Sequence, residues 1–293
     1  MILLPQRLFD SREVKALLRD GNTCILEKKL SQSVYDREGY ISNHVISILL
    51  SGQQKITTYE GKQINIHTGE ILFIPRGLYH VSDLISEEGN FHSLLFYFGD
   101  DIIREFLSTV QVGEIKRKNV PEFLKLGNVP MVSMFARSLI QIYQTPKLAD
   151  KHLLNLKISE LLHLLNGLVS EQKFTEFLFQ LTLPQKRNIK HFIENNFDKP
   201  LTINDYAYLT GRSVSTFRRD FKDQFQTTPK KWLKEKRIEK AISLLERQSM
   251  SVTELAYEVG YENISYFIQE FKAKMGLSPK QYILLQHRNQ LPN

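Results

Sequence analysis

SVSTFRRDFKDQFQTTPKKW, residues 213–232, returns fifty residues later as NISYFIQEFKAKMGLSPKQY, residues 263–282. The two stretches share Ser215/Ser265, Phe217/Phe267, Phe221/Phe271, Lys222/Lys272, Pro229/Pro279 and Lys230/Lys280. Asp220/Glu270, Thr228/Ser278 and Trp232/Tyr282 are chemically similar pairs. Each copy opens on Ser213 or Asn263, whose side chain can accept a hydrogen bond from an otherwise unpaired N–H at a helix start. The repeat implies one capped helical module used twice.

Outward from each copy, toward the N-terminus, lies a short amphipathic segment and a glycine. TINDYAYLTGR has Thr202 as N-cap and Ile203, Tyr206 and Ala207 at helical spacing. SVTELAYEVGYE has Ser251 as N-cap, Glu254 three residues on as capping-box partner, and Val252, Leu255, Ala256 and Val259 facing inward. Ala207 and Ala256 are equivalent small residues that let two helices cross closely, and Gly211 and Gly260 supply a sharp turn. Helix, turn and second helix make a helix-turn-helix pattern, whose second helix enters the DNA major groove.

Charge points the same way. From residue 184 onward nineteen Lys and Arg stand against twelve Asp and Glu, a balance of +7, while the first 183 residues carry twenty of each. The whole net charge of +7 is thus confined to the C-terminal part, the electrostatic footprint of a polyanion partner or, more blandly, a solvated basic face. Between the repeats, PKKWLKEKRIEKAISLLERQ reads as a linker helix with Trp232, Leu233, Ile238, Ala241, Ile242, Leu244 and Leu245 along one stripe. Roughly seventeen helical residues span about 25 Å. With the width of the modules added, that suits two reading helices about one DNA turn, ~34 Å, apart.

Residues 190–286, and above all RIEKAISLLERQSMSVTELAYEVGYENISYFIQEFKAKMGLSPKQY, resemble the DNA-binding domain of the AraC/XylS family of bacterial transcription regulators. The resemblance implies that Ser215, Arg218 and Arg219 face one groove and Ile264, Ser265, Ile268 and Gln269 the next. Arg can donate twice to guanine, Gln can pair with adenine, and Ile can only touch a thymine methyl or sugar carbon. Most sequence specificity is therefore expected from Arg218 and Arg219, although Arg219 could instead pair with Asp223. Arg237 on the linker helix is open to a phosphate contact or a structural salt bridge. The chain departs from the family at Gln269 and Ile283, where Arg is usual, and at Gln226, where the second copy has Gly276.

The first two-thirds has a different pattern. TCILEKKL, HVISILL, KITTYEG, QINIHTGEILFIPRG and FHSLLFYFG are short runs bounded by Gly, Asn and Ser, which predicts strands. Gly69, Pro75, Gly77 and His80 in GEILFIPRGLYH resemble the second motif of the cupin barrel. The remaining ligands of a metallo-cupin are absent, with Val45 where a Glu is expected, so no metal or other cofactor is expected. Phe73, His80, Phe96 and Tyr97 are candidate effector contacts, and alternation equally makes the aromatic ones core residues.

Helices then follow in DIIREFLSTV, MVSMFARSLIQIY and LADKHLLNLKISELLHLLNGLV, residues 148–169. The last carries a leucine stripe wide enough for two faces. Leu154, Ile158, Leu161 and Leu165 are the candidate dimer seam, the alternative being burial against the barrel. KISELLHLL and IPRG-Y are also similar to the N-terminal parts of family activators of type III secretion genes, whose controlling partner is a protein.

The expected architecture is α+β and multidomain. A cupin-like β-barrel with trailing helices occupies residues 1–183, and an all-α domain with two helix-turn-helix motifs joined by a linker helix occupies 184–293. The boundary is expected in the loop TLPQKRN. Cys24, the only cysteine, excludes an internal disulfide and any Cys-based zinc site. No apolar run approaches the ~18 residues of a membrane span, and MILLPQRLFD does not read as a signal peptide. The expected function is a cytoplasmic, homodimeric, non-enzymatic activator that binds double-stranded promoter DNA, engages RNA polymerase, and is gated by a small-molecule or protein effector. The competing classes are a cupin-type enzyme and a non-specific nucleic-acid-binding protein.

Overall fold

The computed structural model describes residues 2–58, 61–111, 122–144, 150–168, 171–183, 186–248 and 250–289. The chain divides into two compact units, Met1–Leu183 and Pro184–Asn293. Residues 148, 149 and 169 of the leucine-rich stretch, and 184 and 185 of the expected boundary loop, lie outside the described residues.

In the first unit, two sheets stack face to face. One has the order β1 (Ile2–Leu4), β4 (Val34–Ile41), β9 (Gly77–Leu84), β6 (Gln53–Thr58), β7 (Gln63–His67). The other runs β11 (Leu124–Leu126), β8 (Ile71–Ile74), β5 (His44–Ser51), β10 (Phe91–Phe98), β3 (Thr23–Leu30), β2 (Val14–Asp20). In the second sheet Leu95 pairs with Ser47 and Phe96 with Ile46, so the two-residue period sends alternate side chains to opposite faces. Val45, Leu49, Leu95 and Tyr97 meet the first sheet, while Ile46, Ile48, Leu94 and Phe96 meet helices. Burial on both faces explains why β5 reads as a continuous apolar run.

The expected barrel is not closed: among the described residues no strand pairing joins the two sheets. Two of the four edges, β1 and β11, are only three residues long, too short for a closing ladder. The corner that resembles a cupin motif does form. Gly69 adopts φ +89 and its N–H donates to the Leu49 carbonyl at 2.7 Å.

The helical layer comprises α1 (Asp100–Thr109), α2 (Pro130–Ile142), α3 (Lys151–Leu168) and α4 (Glu171–Thr182). It overturns the expected dimer seam. Leu154, Ile158, Leu161 and Leu165 are each 0% exposed, packed against β2 on one side and against α1 and α4 on the other. Being covered twice within one chain is what makes the stripe wide. Leu156, at 63% exposed, is the leucine of this helix that faces outward most.

The second unit is all-helical: α5 (Ile189–Glu194), α6 (Ile203–Leu209), α7 (Val214–Phe225), α8 (Pro229–Arg247), α9 (Val252–Glu258), α10 (Ile264–Met275) and α11 (Pro279–Asn289). Pairs α6–α7 and α9–α10 are the two modules, and α8 connects them.

Candidate nucleic-acid interface

Each module is set by its local chemistry. Thr202 accepts from the Asp205 N–H at 3.2 Å, and Asp205 returns an acceptor to the Thr202 N–H at 2.9 Å. Ser251 and Glu254 repeat this capping box at 3.2 and 2.9 Å. The Ser251 backbone N–H holds the Glu254 carboxyl below its ordinary range, the Ser251 hydroxyl adding to the effect. Gly211 and Gly260 sit at φ +68 and +87, and the next N–H, of Arg212 or Tyr261, returns to Ala207 or Ala256 at 2.9 Å. The turns therefore close with the same bond, although one residue separates Gly211 from Ser213 and two separate Gly260 from Asn263. Ser213 and Asn263 then cap α7 and α10 through the N–H groups of Thr216 and Tyr266, at 3.2 and 2.9 Å.

The paired phenylalanines anchor the second helix of each module, α7 and α10. Phe217, Phe221, Phe267 and Phe271 are each fully buried, as are Ala207 and Ala256 at the helix crossings. Their burial leaves the opposite face of each helix in solvent. On α7 that face carries Ser215, Arg218 and Arg219, with Lys222 one turn on, all exposed. Among the described residues Arg218 has no ion-pair partner. Arg219, with its side chain 73% exposed, lies 3.4 Å from Asp220 rather than pairing with Asp223. Asp220 is held chiefly by Arg212, at 2.9 Å, which lowers its pKa.

On α10, Ser265, Gln269 and Lys272 are exposed in the same positions, and Tyr266 stands beside them at 40%. Ile264 and Ile268 differ from the expectation: both are half-buried against the core of the second module, around Phe267 and Phe271. Their apolar character is used for packing, leaving an edge at most for a groove. Among the described residues Arg237 forms no side-chain salt bridge; its guanidinium donates to the carbonyls of Phe197 and Lys199 at 2.7 and 2.6 Å. Sequence reading passed over Lys222, Lys272 and Tyr266. The first two were legible as a repeated pair, since an identical exposed cation at the same place in both copies has no packing reason.

The effector candidates separate. Phe73 stands edge-on to Phe177 of α4 at 5.0 Å, and Phe96 stacks with Phe135 of α2 at 6.2 Å, so both join sheet to helices. His80 lies at the surface, 3.1 Å from Asp36. Only Tyr97 lines the cavity between the sheets, because its odd position in β10 turns it away from Phe96. That cavity is about 50 Å³ and also bounded by Lys28, Ser47, Gln54 and Asp83. It has room for one or two waters. Asp83 accepts from Lys28 and from Gln54 Nε2, while Ser47 Oγ and Gln54 Oε1 have no hydrogen-bond partner among the described residues.

Comparison with known proteins matches both units. The ExsA N-terminal regulatory domain aligns with residues 44–178, and a helix-turn-helix domain with residues 206–284. The HTH-type transcriptional regulator ExsA of Pseudomonas aeruginosa is 24% identical over 243 residues, covering 80% of this chain and 84% of that one. The chain belongs to the AraC/XylS family. It is accordingly a transcriptional regulator with a helix-turn-helix DNA-binding domain. A further relative, the virulence regulon transcriptional activator VirF of Yersinia enterocolitica, is 29% identical over 243 residues, covering 80% of this chain and 86% of its own. Among solved structures, an apo ToxT from Vibrio cholerae covers 91% of this chain and 99% of its own at 14% identity, with a TM-score of 0.44. The family matches run from β5 into α4 and from within α6 into α11, so the helix-turn-helix match takes in the second module whole and the first from Tyr206 onward. No helix among the described residues is long and apolar enough to cross a membrane.

Proposed function

We propose that this chain is a sequence-specific activator that reads two successive major-groove segments of promoter DNA through α7 and α10. The observation that carries this is the repeated exposed row, Ser215/Ser265, Arg219/Gln269 and Lys222/Lys272, opposite buried Phe pairs. Arg218 and Arg219 supply bidentate donors to guanine, Gln269 suits adenine, and Ser215 and Ser265 bond either bases or phosphates. The lysines anchor the backbone of the duplex. Activation, with RNA polymerase as the next partner, is supported by VirF, a relative named as a transcriptional activator.

Gating belongs to the first unit. Its internal cavity holds little more than water in this state, so the effector this reading favours is a protein that docks on its surface. A small molecule would have to part the sheets to enter it, or else use the open cleft of about 840 Å³ lined by Lys29, His67, His92 and Arg137. Selection of duplexes from a random pool by the full-length chain tests the DNA reading. A site with two unequal boxes about one turn apart, preferred ~10³-fold over scrambled DNA, is expected. Equal, salt-sensitive binding to every sequence would sink it.

A further inference from the structure

Arg237 lies on α8, outside the exposed rows of α7 and α10, and two nitrogens of its half-buried guanidinium are engaged by backbone. Nε and Nη2 reach the carbonyls of Phe197 and Lys199, in the loop that leads into the first module. The same group lies 5.6 Å from the ring centre of Tyr261, in the turn of the second module. Two further contacts tie that loop and that turn together. Lys240 donates to Asp198 at 2.7 Å and to the Glu258 carbonyl at 3.3 Å. Gly260 approaches so closely that a Cβ there would stand 2.6 Å from the Asp198 carbonyl oxygen.

We infer that Arg237 is the positioning residue that fixes the separation and mutual rotation of the two reading helices, by pinning the entry loop of one module to the turn of the other. The inference rests on the two-groove reading above. A planar fork with two donors at fixed spacing matches two carbonyls of one loop while offering its face to a ring. A lysine ammonium at the same place is a point charge and cannot do both. Removing the guanidinium strands the Phe197 carbonyl and leaves the Lys199 carbonyl to the Leu201 N–H, at 2.7 Å, so the loop loses its tie to α8 and not merely a charge. Rigidity matters because a second module adds to affinity only when the connection holds it where its own box lies.

The test uses the full-length chain in two arms. Spin labels at Lys222→Cys and Lys272→Cys sit on exposed positions of α7 and α10, and Cys24, fully buried, stays unlabelled. The label-to-label distance distribution is expected to be narrow with Arg237 and broad in Arg237→Met. Arg237→Lys gives an intermediate width and serves if the Met variant does not fold. An unchanged distribution in a folded variant overturns the lock. In the second arm the probe is the duplex selected by the wild type, with and without two base pairs inserted between its boxes. The wild type is expected to lose about 100-fold on insertion, whereas Arg237→Met binds the original duplex about tenfold more weakly and loses under about threefold. Binding of an isolated first box should not change. An equal loss on isolated box, full site and random DNA would make Arg237 a phosphate contact and overturn the inference. If the wild type itself selects no two-box site, the two-groove reading fails, and the distance arm still decides the lock.

Discussion

The two helix-turn-helix modules share a skeleton and differ in what they present. Caps, turn glycines and phenylalanine pairs recur in both, down to the capping-box bonds and the 2.9 Å turn closures, with one residue more between turn glycine and cap in the second. The exposed rows do not: α7 offers two arginines where α10 has Ile268, folded back on its own core, and Gln269. Their exits also differ, since α7 ends on Gln226 at φ +55 and α10 on Gly276 at φ +75. Packing thus holds the two copies alike while the solvent face is free to diverge, which leaves α7 the more cationic surface and α10 the more apolar one.

The shared skeleton gives the largest expected effects. Phe221→Ala and Phe271→Ala should each cost about 3–5 kcal/mol of stability by chemical denaturation, because both rings are fully buried. A much smaller loss at one of them would show that its module packs loosely and break the equivalence. Next comes the difference in reading. Arg218→Ala should weaken binding to the selected site by about 1–3 kcal/mol and relax one base position, against about 1 kcal/mol or less for Gln269→Ala. Titrations on matched and scrambled duplexes separate the cases, and equal losses from both variants would erase the asymmetry.

The exits offer a gain in place of a loss. A left-handed cap suits glycine, so Gln226→Gly should raise stability by about 1 kcal/mol, read as a higher midpoint, despite the lost bond from Gln226 Nε2 to Asp223. The smallest effect is on pH. Glu254 is held below its ordinary value of 4.5, so its contribution is present above that pH and disappears as acid protonates the folded carboxyl. Melting curves from pH 6 down to 3 should therefore fall more steeply for the wild type than for Glu254→Gln, whose amide keeps the cap without titrating. Parallel curves would mean the cap is indifferent to charge.

The second unit was legible because its signals are local. Caps, glycines and the Phe-x3-Phe spacing all act within a turn or two of helix, so one stretch of sequence carries them. What escaped reading lies at long separation. Arg237 meets carbonyls 38 and 40 residues earlier, and no neighbouring residue announces it. Ile268 looked like a groove residue because its helix position was known and its tilt toward the core was not. In the first unit, β5 and β10 are covered on both faces, which removes the alternation that would have told Phe96 from Tyr97. The same blindness to what lies across a helix made Leu154, Ile158, Leu161 and Leu165 look like a surface.

The doubly covered sheet has a consequence for how this unit answers a signal. Amides at the centre of β5 and β10 are paired on both sides and shielded above and below, so in heavy water they are expected to be the last in this unit to exchange. Opening them means unfolding the unit. On the proposed reading, a controlling partner would act at the rim, on the three-residue strands β1 and β11 and the outward side chains of α2 and α3, where small free energies are enough to shift a conformation.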